Sequence, residues 1–223
     1  MTDLLECVEV GPKDATASVV WMHGLFASGH DFEPIVPELR CPHVRFVFPH
    51  APPRPVTING GMVGPAWYDI LTFEDVEGRE SASDIRESAT LIEALLERER
   101  KRGVDSSRTV VAGFSQGAAM ALFVGARHEH SLAGIMALSG YHVIRSSFEA
   151  ERNEANRATE VFFAHGTYDP VVPTAWGREA KNDFDAWSTG KLHWNEYPME
   201  HNVCADEAQA VGAWLRARLP AQP

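Results

Sequence analysis

The chain has 223 residues, 44% of them hydrophobic and 23% charged, so it can bury a sizeable core and is neither a disordered nor a fibrous polymer. The length predicts a single domain over residues 1–223, because α/β domains commonly reach roughly 200–250 residues. With 31 acidic and 20 basic side chains the net charge is −11. A nucleic-acid-binding surface must be basic, so we expect no nucleic-acid partner.

Short runs rich in β-branched and aromatic residues alternate with segments of helical spacing. In chain order the pattern predicts strands at 19–22 and 44–48, a helix at 84–102, a strand at 109–112, a helix after Ser115, strands at 135–138 and 161–164, a helix near 173–187, a strand at 192–197 and a last helix at 205–219. This alternation is typical of a mostly parallel sheet with helices on both faces. Only 52–73 is left as a sizeable irregular stretch.

The predicted helix at 84–102 carries the clearest local signals. One face presents a stripe formed by Ile85, Ala89, Ile92, Leu95, Leu96 and Glu99. Ser81 and Asp84, three residues apart, predict a capping box at its start, and Gly103 closes it.

The cysteines and the N-terminal segment indicate the cellular compartment of the protein. Cys7, Cys41 and Cys204 are too few and too scattered for a disulfide framework or a cysteine-rich zinc module. No apolar stretch approaches the roughly 18–20 residues that span a bilayer. The start, MTDLLECVEV, is acidic where a signal peptide is basic. We therefore expect a soluble cytoplasmic protein without a membrane span.

A Gly-Phe-Ser-Gln-Gly segment, 113–117, directly follows the predicted strand at 109–112 and precedes small, helix-forming residues. This is the G-x-S-x-G pattern in the strand–turn–helix setting that it requires. The glycines relieve crowding in a sharp turn that holds Ser115 in a strained conformation at a helix N-terminus. Ser115 is the candidate nucleophile; the alternative is a tight turn with an incidental serine.

A serine hydroxyl attacks well only when a base takes its proton and a third group orients that base. Functional residues of parallel sheets lie at the carboxyl ends of strands. Asp169 lies in a turn after 161–164, and His201 lies in the loop after 192–197. The order Ser, Asp, His is that of the α/β-hydrolases, so we predict this triad on an α/β-hydrolase fold.

Other acids and histidines compete for these roles. Four acids fall in predicted helices: we interpret Asp183 and Asp185 as part of a solvated helix face, and Asp206 and Glu207 as first-turn acids of the last helix. Glu200 adjoins His201 and is the alternative to Asp169, although its side chain should point elsewhere. His23 and His165 each precede a glycine after a strand, and we interpret both as bonding to backbone and holding loops. A metal site built from His23, His165, Asp169 and His201 is disfavoured, because close ligand pairs such as H-E-x-x-H or C-x-x-C are absent.

The oxyanion of a tetrahedral intermediate needs two donors already in place. The backbone N–H of Gln116, directly after the nucleophile, is expected to be one of them. The loop after the first predicted strand, 23–26, should supply the other, with the N–H of Leu25 as the candidate. Gly24 would allow the close approach of this loop.

These motifs lie in longer segments that resemble the carboxylesterase and acyl-protein thioesterase family of small α/β-hydrolases, also called the phospholipase/carboxylesterase family. The similar segments are WMHGLFASGHDFEPIVPEL (21–39), FVFPHAPPRPVTINGG (46–61), AWYDI (66–70), GFSQGAAMAL (113–122), LSGY (138–141), HGTYDPVVP (165–173) and YPMEHNVCADE (197–207). The resemblance implies the same roles for the triad Ser115, Asp169 and His201 and for the oxyanion donors Leu25 and Gln116. It further implies hydrolysis of short to medium acyl esters or thioesters without a cofactor, and a homodimer in many members.

Two positions depart from the family pattern. Ala118 stands where many members have a second glycine after the elbow, and 62–65 is poorer in Met and contains a Pro. Because 62–65 is expected to border the acyl pocket, the family's substrate length does not carry over. The candidate substrate-binding residues are Met62, Trp67, Leu71, Phe73 and Val171, with ordinary core positions as the alternative.

From the sequence we expect a serine carboxylesterase that hydrolyses short to medium acyl esters through an acyl-enzyme, with neither cofactor nor metal. Thioesters and lysophospholipids are alternative substrates, and acyl-protein thioesterase is the alternative main activity. A non-catalytic hydrolase fold that binds a small ligand is a rival of another class. A peptidase or lipase fits less well, because the chain has little length for a sorting domain or a separate lid domain.

Overall fold

The computed structural model describes residues 4–72, 74 and 78–222. In this part of the chain seven strands form one sheet and two more form a hairpin. The strands are β1 (Cys7–Val10), β2 (Ala17–Met22), β3 (Val44–Pro49), β4 (Pro53–Val56), β5 (Met62–Pro65), β6 (Thr109–Phe114), β7 (Gly134–Leu138), β8 (Val161–Gly166) and β9 (Leu192–Tyr197). The helices are α1 (Val36–Leu39), α2 (Ala82–Lys101), α3 (Gln116–Arg127), α4 (Phe148–Glu151), α5 (Thr174–Asp185) and α6 (Ala205–Arg218).

The main sheet has the strand order β1-β3-β2-β6-β7-β8-β9. Its strands are parallel except β1, which runs antiparallel to β3 at the edge. All six strands predicted from the sequence are present, most of them one or two residues longer than predicted. Because these strands are parallel, the C-terminal ends of β2, β6, β8 and β9 lie along the same side of the sheet.

Helices cover both faces of this sheet because successive strand residues point to opposite sides. Val20 and Met22 of β2 pack with buried residues of α2, α3 and α5. Val19 and Trp21 pack with buried residues of α1 and α6 on the other face. The predicted α/β architecture with helices on both faces is confirmed.

The long helix α2 begins two residues before its predicted start. Ser81 caps it, since its hydroxyl accepts a hydrogen bond of 3.4 Å from the N–H of Asp84. The Asp84 carboxylate accepts from the N–H of Asp69 at 3.0 Å and pairs with Arg54 at 3.1 Å. Only half of the predicted capping box is therefore formed, and Asp84 fastens the preceding loop instead. Neither α2 nor another described helix is both long and apolar enough to cross a membrane.

The 52–73 stretch is more regular than predicted, because β4 and β5 pair as an antiparallel hairpin within it. A 3-10 turn, Thr57–Asn59, connects the two strands. The N–H of Phe26 donates to the carbonyl of Pro65 at 2.8 Å, which fastens the hairpin to the loop after β2. The hairpin thus lies beside the loop that should supply an oxyanion donor.

Candidate active site

Ser115 occupies a sharp turn between β6 and α3. Its backbone has φ 56° and ψ −120°, a conformation that is rare for a residue with a side chain. A Cβ added to Gly113 would lie 2.0 Å from the carbonyl oxygen of Gly117, and one on Gly117 would lie 2.3 Å from that of Met22. Both glycines of the pattern are thus required by backbone contacts, as the crowding argument predicts.

His201 connects Ser115 to Asp169 through both of its ring nitrogens. Its Nδ1 lies 2.7 Å from Oδ2 of Asp169, and its Nε2 lies 2.9 Å from the Ser115 hydroxyl oxygen. An ionised carboxylate only accepts hydrogen bonds, so Nδ1 carries the proton and Nε2 is free to accept from Ser115. The three residues that the sequence placed after β6, β8 and β9 meet at one edge of the sheet.

The loop after β8 holds the Asp169 carboxylate in place. Oδ1 accepts from the backbone N–H groups of Val171 and Val172, both at 2.9 Å. Burial raises the pKa of Asp169, but the hydrogen bonds from His201 and the two amides outweigh it, and the pKa lies below its usual value. Asp169 is therefore ionised at neutral pH. The rival acid Glu200 is exposed.

The interpretation of His23 and His165 as loop-holding residues is confirmed. Nε2 of His165 donates to the carbonyl of Val172 at 2.9 Å. Nδ1 of His23 donates to the carbonyl of Gly24 at 2.6 Å, while its Nε2 accepts from the N–H of Ala51 at 3.0 Å. Burial lowers the pKa of both imidazoles, so they are neutral and serve as fixed hydrogen-bonding partners.

The two predicted oxyanion donors border Ser115. Leu25 and Gln116 line the same small cavity as Ser115. A Cβ added to Gly24 would lie 3.3 Å from Cβ of Ser115, a tight contact, so the absence of a side chain at Gly24 favours the close approach of this loop. The Gln116 side chain is engaged elsewhere, since its amide accepts from the N–H of Trp67 at 3.1 Å and donates to the carbonyl of Tyr68 at 2.8 Å.

Ser115 lines two cavities. The larger, of about 710 Å³, is lined by Gly24, Leu25, Phe26, Ala27, Asp31, Phe32, Ile35, Glu38, Phe114, Ser115, Val171, His201, Asn202, Val203, Cys204, Ala205 and Ala208. The smaller, of about 150 Å³, is lined by Leu25, Ile58, Ile70, Thr72, Arg79, Ser115, Gln116, Tyr141, Val171, Val172 and Trp176. His201 belongs to the larger cavity, whereas Gln116 belongs to the smaller.

The five candidate substrate-binding residues lie in different places. Val171 borders both cavities and is 61% exposed. Trp67 is fully buried in the core, where its Nε1 donates to the carbonyl of His23 at 2.8 Å. It therefore fits the alternative interpretation, that of an ordinary core residue. Met62 and Leu71 are exposed, and neither borders these two cavities as far as the described residues define them. Phe73 lies outside the described residues.

Several cavity residues were not found from the sequence. Ile58 and Ile70 come from the stretch predicted to be irregular, and Tyr141 and Trp176 come from β7–α4 and α5 segments that carry no motif of their own. Ile58, Ile70 and Tyr141 fall in segments that resemble the family, 46–61, 66–70 and 138–141, but the pairing of distant segments around a cavity is a tertiary property. Asp183, interpreted as part of a solvated helix face, instead accepts from His142 at 2.8 Å.

Ser115 lies in a strained strand–helix turn, and hydrogen bonds connect it through His201 to Asp169. This site, on a mostly parallel sheet covered by helices, defines a serine hydrolase of the α/β-hydrolase class. The family model described as Phospholipase/Carboxylesterase matches residues 5–219. The chain belongs to this phospholipase/carboxylesterase family, and the α/β-hydrolase fold is confirmed.

The relatives include proteins named for thioester hydrolysis. Acyl-protein thioesterase 1 of Yarrowia lipolytica is 35% identical over 211 residues, which cover 92% of each chain. The crystal structure of Zea mays acyl-protein thioesterase 2 has a TM-score of 0.83 at 25% identity and covers 96% of this chain and 99% of its own. That of Arabidopsis thaliana SOBER1 has a TM-score of 0.84 at 26% identity and covers 91% of this chain and 99% of its own.

Proposed function

We propose that this protein hydrolyses acyl thioesters, and the corresponding oxyesters, through an acyl-enzyme formed on Ser115. The observation that carries the proposal is the continuous hydrogen-bonded path from Asp169 through His201 to Ser115. The relatives named acyl-protein thioesterase favour thioester hydrolysis as the main reaction, over the carboxylesterase activity that the sequence alone led us to expect.

The first half of the reaction acylates the serine. Nε2 of His201 takes the proton of the Ser115 hydroxyl as the oxygen attacks the acyl carbon, and Asp169 stabilises the imidazolium that forms. The N–H groups of Leu25 and Gln116 would receive the oxyanion. The imidazolium then returns the proton to the departing sulfur or oxygen, so a thiol or alcohol leaves and the acyl group stays on Ser115.

The second half repeats the same steps with water. His201 removes a proton from a water molecule that attacks the acyl-enzyme, and the same proton goes to the Ser115 oxygen when the ester bond breaks. The products are a carboxylic acid and the free enzyme. No group beyond the triad and the two backbone donors is needed for this sequence of bond changes.

The position of His201 supports a proposed role for each of the two cavities. The leaving group must lie within reach of Nε2 of His201, which protonates it, so it belongs in the larger cavity that His201 lines. The acyl group then extends into the smaller cavity on the Gln116 side. The larger cavity has room for a leaving group of considerable size, which fits a thiol carried on a peptide.

Replacement of the nucleophile tests the proposal. We expect Ser115→Ala to lower kcat for a butanoyl thioester by on the order of 10⁴ or more, since the remaining site keeps only binding and oxyanion stabilisation. Ser131→Ala, an exposed serine in the loop before β7, is the matched control and should keep full activity. Turnover by the Ser115 variant at the wild-type rate would remove Ser115 from the mechanism.

Two further measurements separate the rivals. A fluorophosphonate probe should label the wild-type protein and not Ser115→Ala, whereas a non-catalytic ligand-binding protein would not react. The kcat/KM for a butanoyl thioester should then be compared with that for the butanoyl oxyester whose leaving group has the same carbon skeleton. A kcat/KM that is higher for the oxyester would return the main activity to a carboxylesterase.

A further inference from the structure

A third cavity adjoins the end of the small one. It has a volume of about 180 Å³ and is lined by Gly78, Arg79, Glu80, Tyr141, His142, Ile144, Arg145, Trp176, Glu179 and Ala180. Three residues, Arg79, Tyr141 and Trp176, line both this cavity and the small cavity that begins at Ser115. They form a partition between the two, which we call the Arg79 wall.

The Arg79 guanidinium fills the space between the two aromatic rings of the wall. Its central carbon lies 3.8 Å from the centre of the Trp176 ring and 4.4 Å from that of Tyr141. The two rings meet edge to face, with centroids 5.9 Å apart. Stacking of this kind holds a guanidinium through both cation–π attraction and close packing.

Hydrogen bonds hold the wall in this position. Nε of Arg79 donates to the Glu80 carboxylate, and both side chains are about 9% exposed. The Arg79 carbonyl accepts from the N–H of Leu71 at 2.7 Å, which ties its backbone to the segment that carries Ile70. The hydroxyl of Tyr141 is 2.8 Å from that of Tyr68. Moving Arg79 aside would therefore take from the Glu80 carboxylate its ion-pair partner in a largely buried setting.

We propose that the Arg79 wall sets the maximum length of the acyl group and so makes this protein selective for short to medium acyl chains. This inference rests on the proposed function, because it takes the small cavity as the acyl site. A cavity of about 150 Å³ holds a six-carbon ring. An acyl chain of about six carbons fills the space, and the next methylene meets a charged side chain that is fixed between two rings.

Chain-length profiles test the wall. In the wild type we expect kcat/KM for straight-chain acyl thioesters to rise by roughly fourfold per methylene, the value of burying one CH₂ group, up to about six carbons and then to fall. Arg79→Ala joins the small cavity to the third one. We expect the optimum to move to about ten carbons, and the ratio of kcat/KM for dodecanoyl over hexanoyl thioester to increase at least tenfold.

A second variant removes another residue of the wall, and a third variant serves as the control. Trp176→Ala removes the other side of the wall while the pair of Arg79 and Glu80 stays intact, so it should shift the optimum in the same direction even where Arg79→Ala folds poorly. Arg145→Ala changes the third cavity but not the wall, and its profile should match the wild type. Thermal unfolding midpoints show which variants fold.

Two results would overturn the inference. One is a wild-type enzyme that hydrolyses dodecanoyl and hexadecanoyl thioesters as fast as the hexanoyl thioester. The other is an unchanged profile in folded, active Arg79→Ala and Trp176→Ala. In both cases the proposed function stands as long as Ser115→Ala abolishes turnover, whereas a wild type without Ser115-dependent turnover removes the proposed function and the wall with it.

Discussion

Asp169 uses its two carboxylate oxygens for two different tasks. Oδ2 accepts from His201, while Oδ1 accepts from the N–H groups of Val171 and Val172 in its own loop. The second task holds the carboxylate still while the first fixes the tautomer of the imidazole. Val171 borders both cavities, so the loop that orients the acid also borders the space that we propose for the substrate.

We expect Asp169→Asn to lower kcat on the order of 10⁴-fold with the fold retained. The amide carbonyl can still accept from Val171 and Val172, but the amide NH₂ then faces Nδ1 of His201. That contact favours a proton on Nε2, and an Nε2 that carries a proton cannot accept one from Ser115. The measurement is kcat for a butanoyl thioester together with the thermal unfolding midpoint.

The control for this variant is Asp185→Asn at the end of α5, where Asp185 pairs with Lys181 on the surface. It should keep wild-type kcat. A loss below tenfold in Asp169→Asn with an unchanged unfolding midpoint would mean that Asp169 does not orient His201 during the reaction.

Residues that the sequence identified share one property, which is that a local motif carries them. Ser115, Asp169 and His201 each come shortly after the end of a parallel strand, so the rule for parallel sheets locates them without knowledge of packing. Arg79 and Trp176 have no such signal, because the wall exists only where the loop before α2 meets α5. Contacts between distant segments of this kind are decided by tertiary packing.

At the scale of elements, the first turn of α6 contains an unusual acid. Glu207 is completely buried, and neither carboxylate oxygen makes a hydrogen bond of good geometry with the described residues. Burial raises the pKa of Glu207 to about 8, which the nearby backbone of Cys204 offsets only in part. The carboxyl is thus largely protonated at neutral pH, although an acid in the first turn of a helix usually gains from its charge.

This raised pKa makes stability depend on pH. Between the ordinary pKa of a glutamate and about 8, the folded state holds a proton that the unfolded state has lost, so the free energy of unfolding falls as pH rises through this range. Glu207→Gln removes the titration. We expect the variant to gain on the order of 4 kcal/mol relative to the wild type between pH 5 and pH 8.5, measured by urea unfolding at both pH values.

Asp206→Asn is the control, because Asp206 is the exposed neighbour in the same turn. Its stability relative to the wild type should not change in this way with pH. A constant difference between Glu207→Gln and the wild type across the range would show that Glu207 is ionised in the folded protein.

Elements with a clear period were predicted well and the others were not. The apolar stripe of α2 and the buried runs of the central strands gave bounds within about two residues. The hairpin of β4 and β5 was missed because prolines at the first and third positions of β4 and at the end of β5 do not resemble an alternating strand. The short edge strand β1, with an acid among its four residues, shows no clear period either.

At the scale of the whole molecule, a buried ion pair lies near the N-terminal ends of the parallel strands, whereas the triad lies at their C-terminal ends. Arg45 at the start of β3 pairs with Glu99 near the end of α2 at 2.8 Å, and the Ser18 hydroxyl donates to the same carboxylate at 2.6 Å. Ser18 pairs in register with Thr109, the first residue of β6, whereas Ser115 follows the last residue of that strand. Glu99 was predicted only as part of a stripe, since a sequence does not show which distant cation meets a buried acid.

The buried pair should therefore affect stability without affecting catalysis. Glu99→Ala leaves the Arg45 guanidinium buried without its carboxylate, which costs about 3–5 kcal/mol in the free energy of unfolding. We expect the urea midpoint to fall accordingly, while kcat for a butanoyl thioester at 25 °C stays within about twofold of the wild type because the triad is untouched. Glu97 lies two residues earlier on the same helix and forms a surface pair with Arg100, so Glu97→Ala should change neither quantity measurably. A variant of Glu99 that lost kcat in proportion to its stability would show instead that the two ends of the parallel strands are coupled.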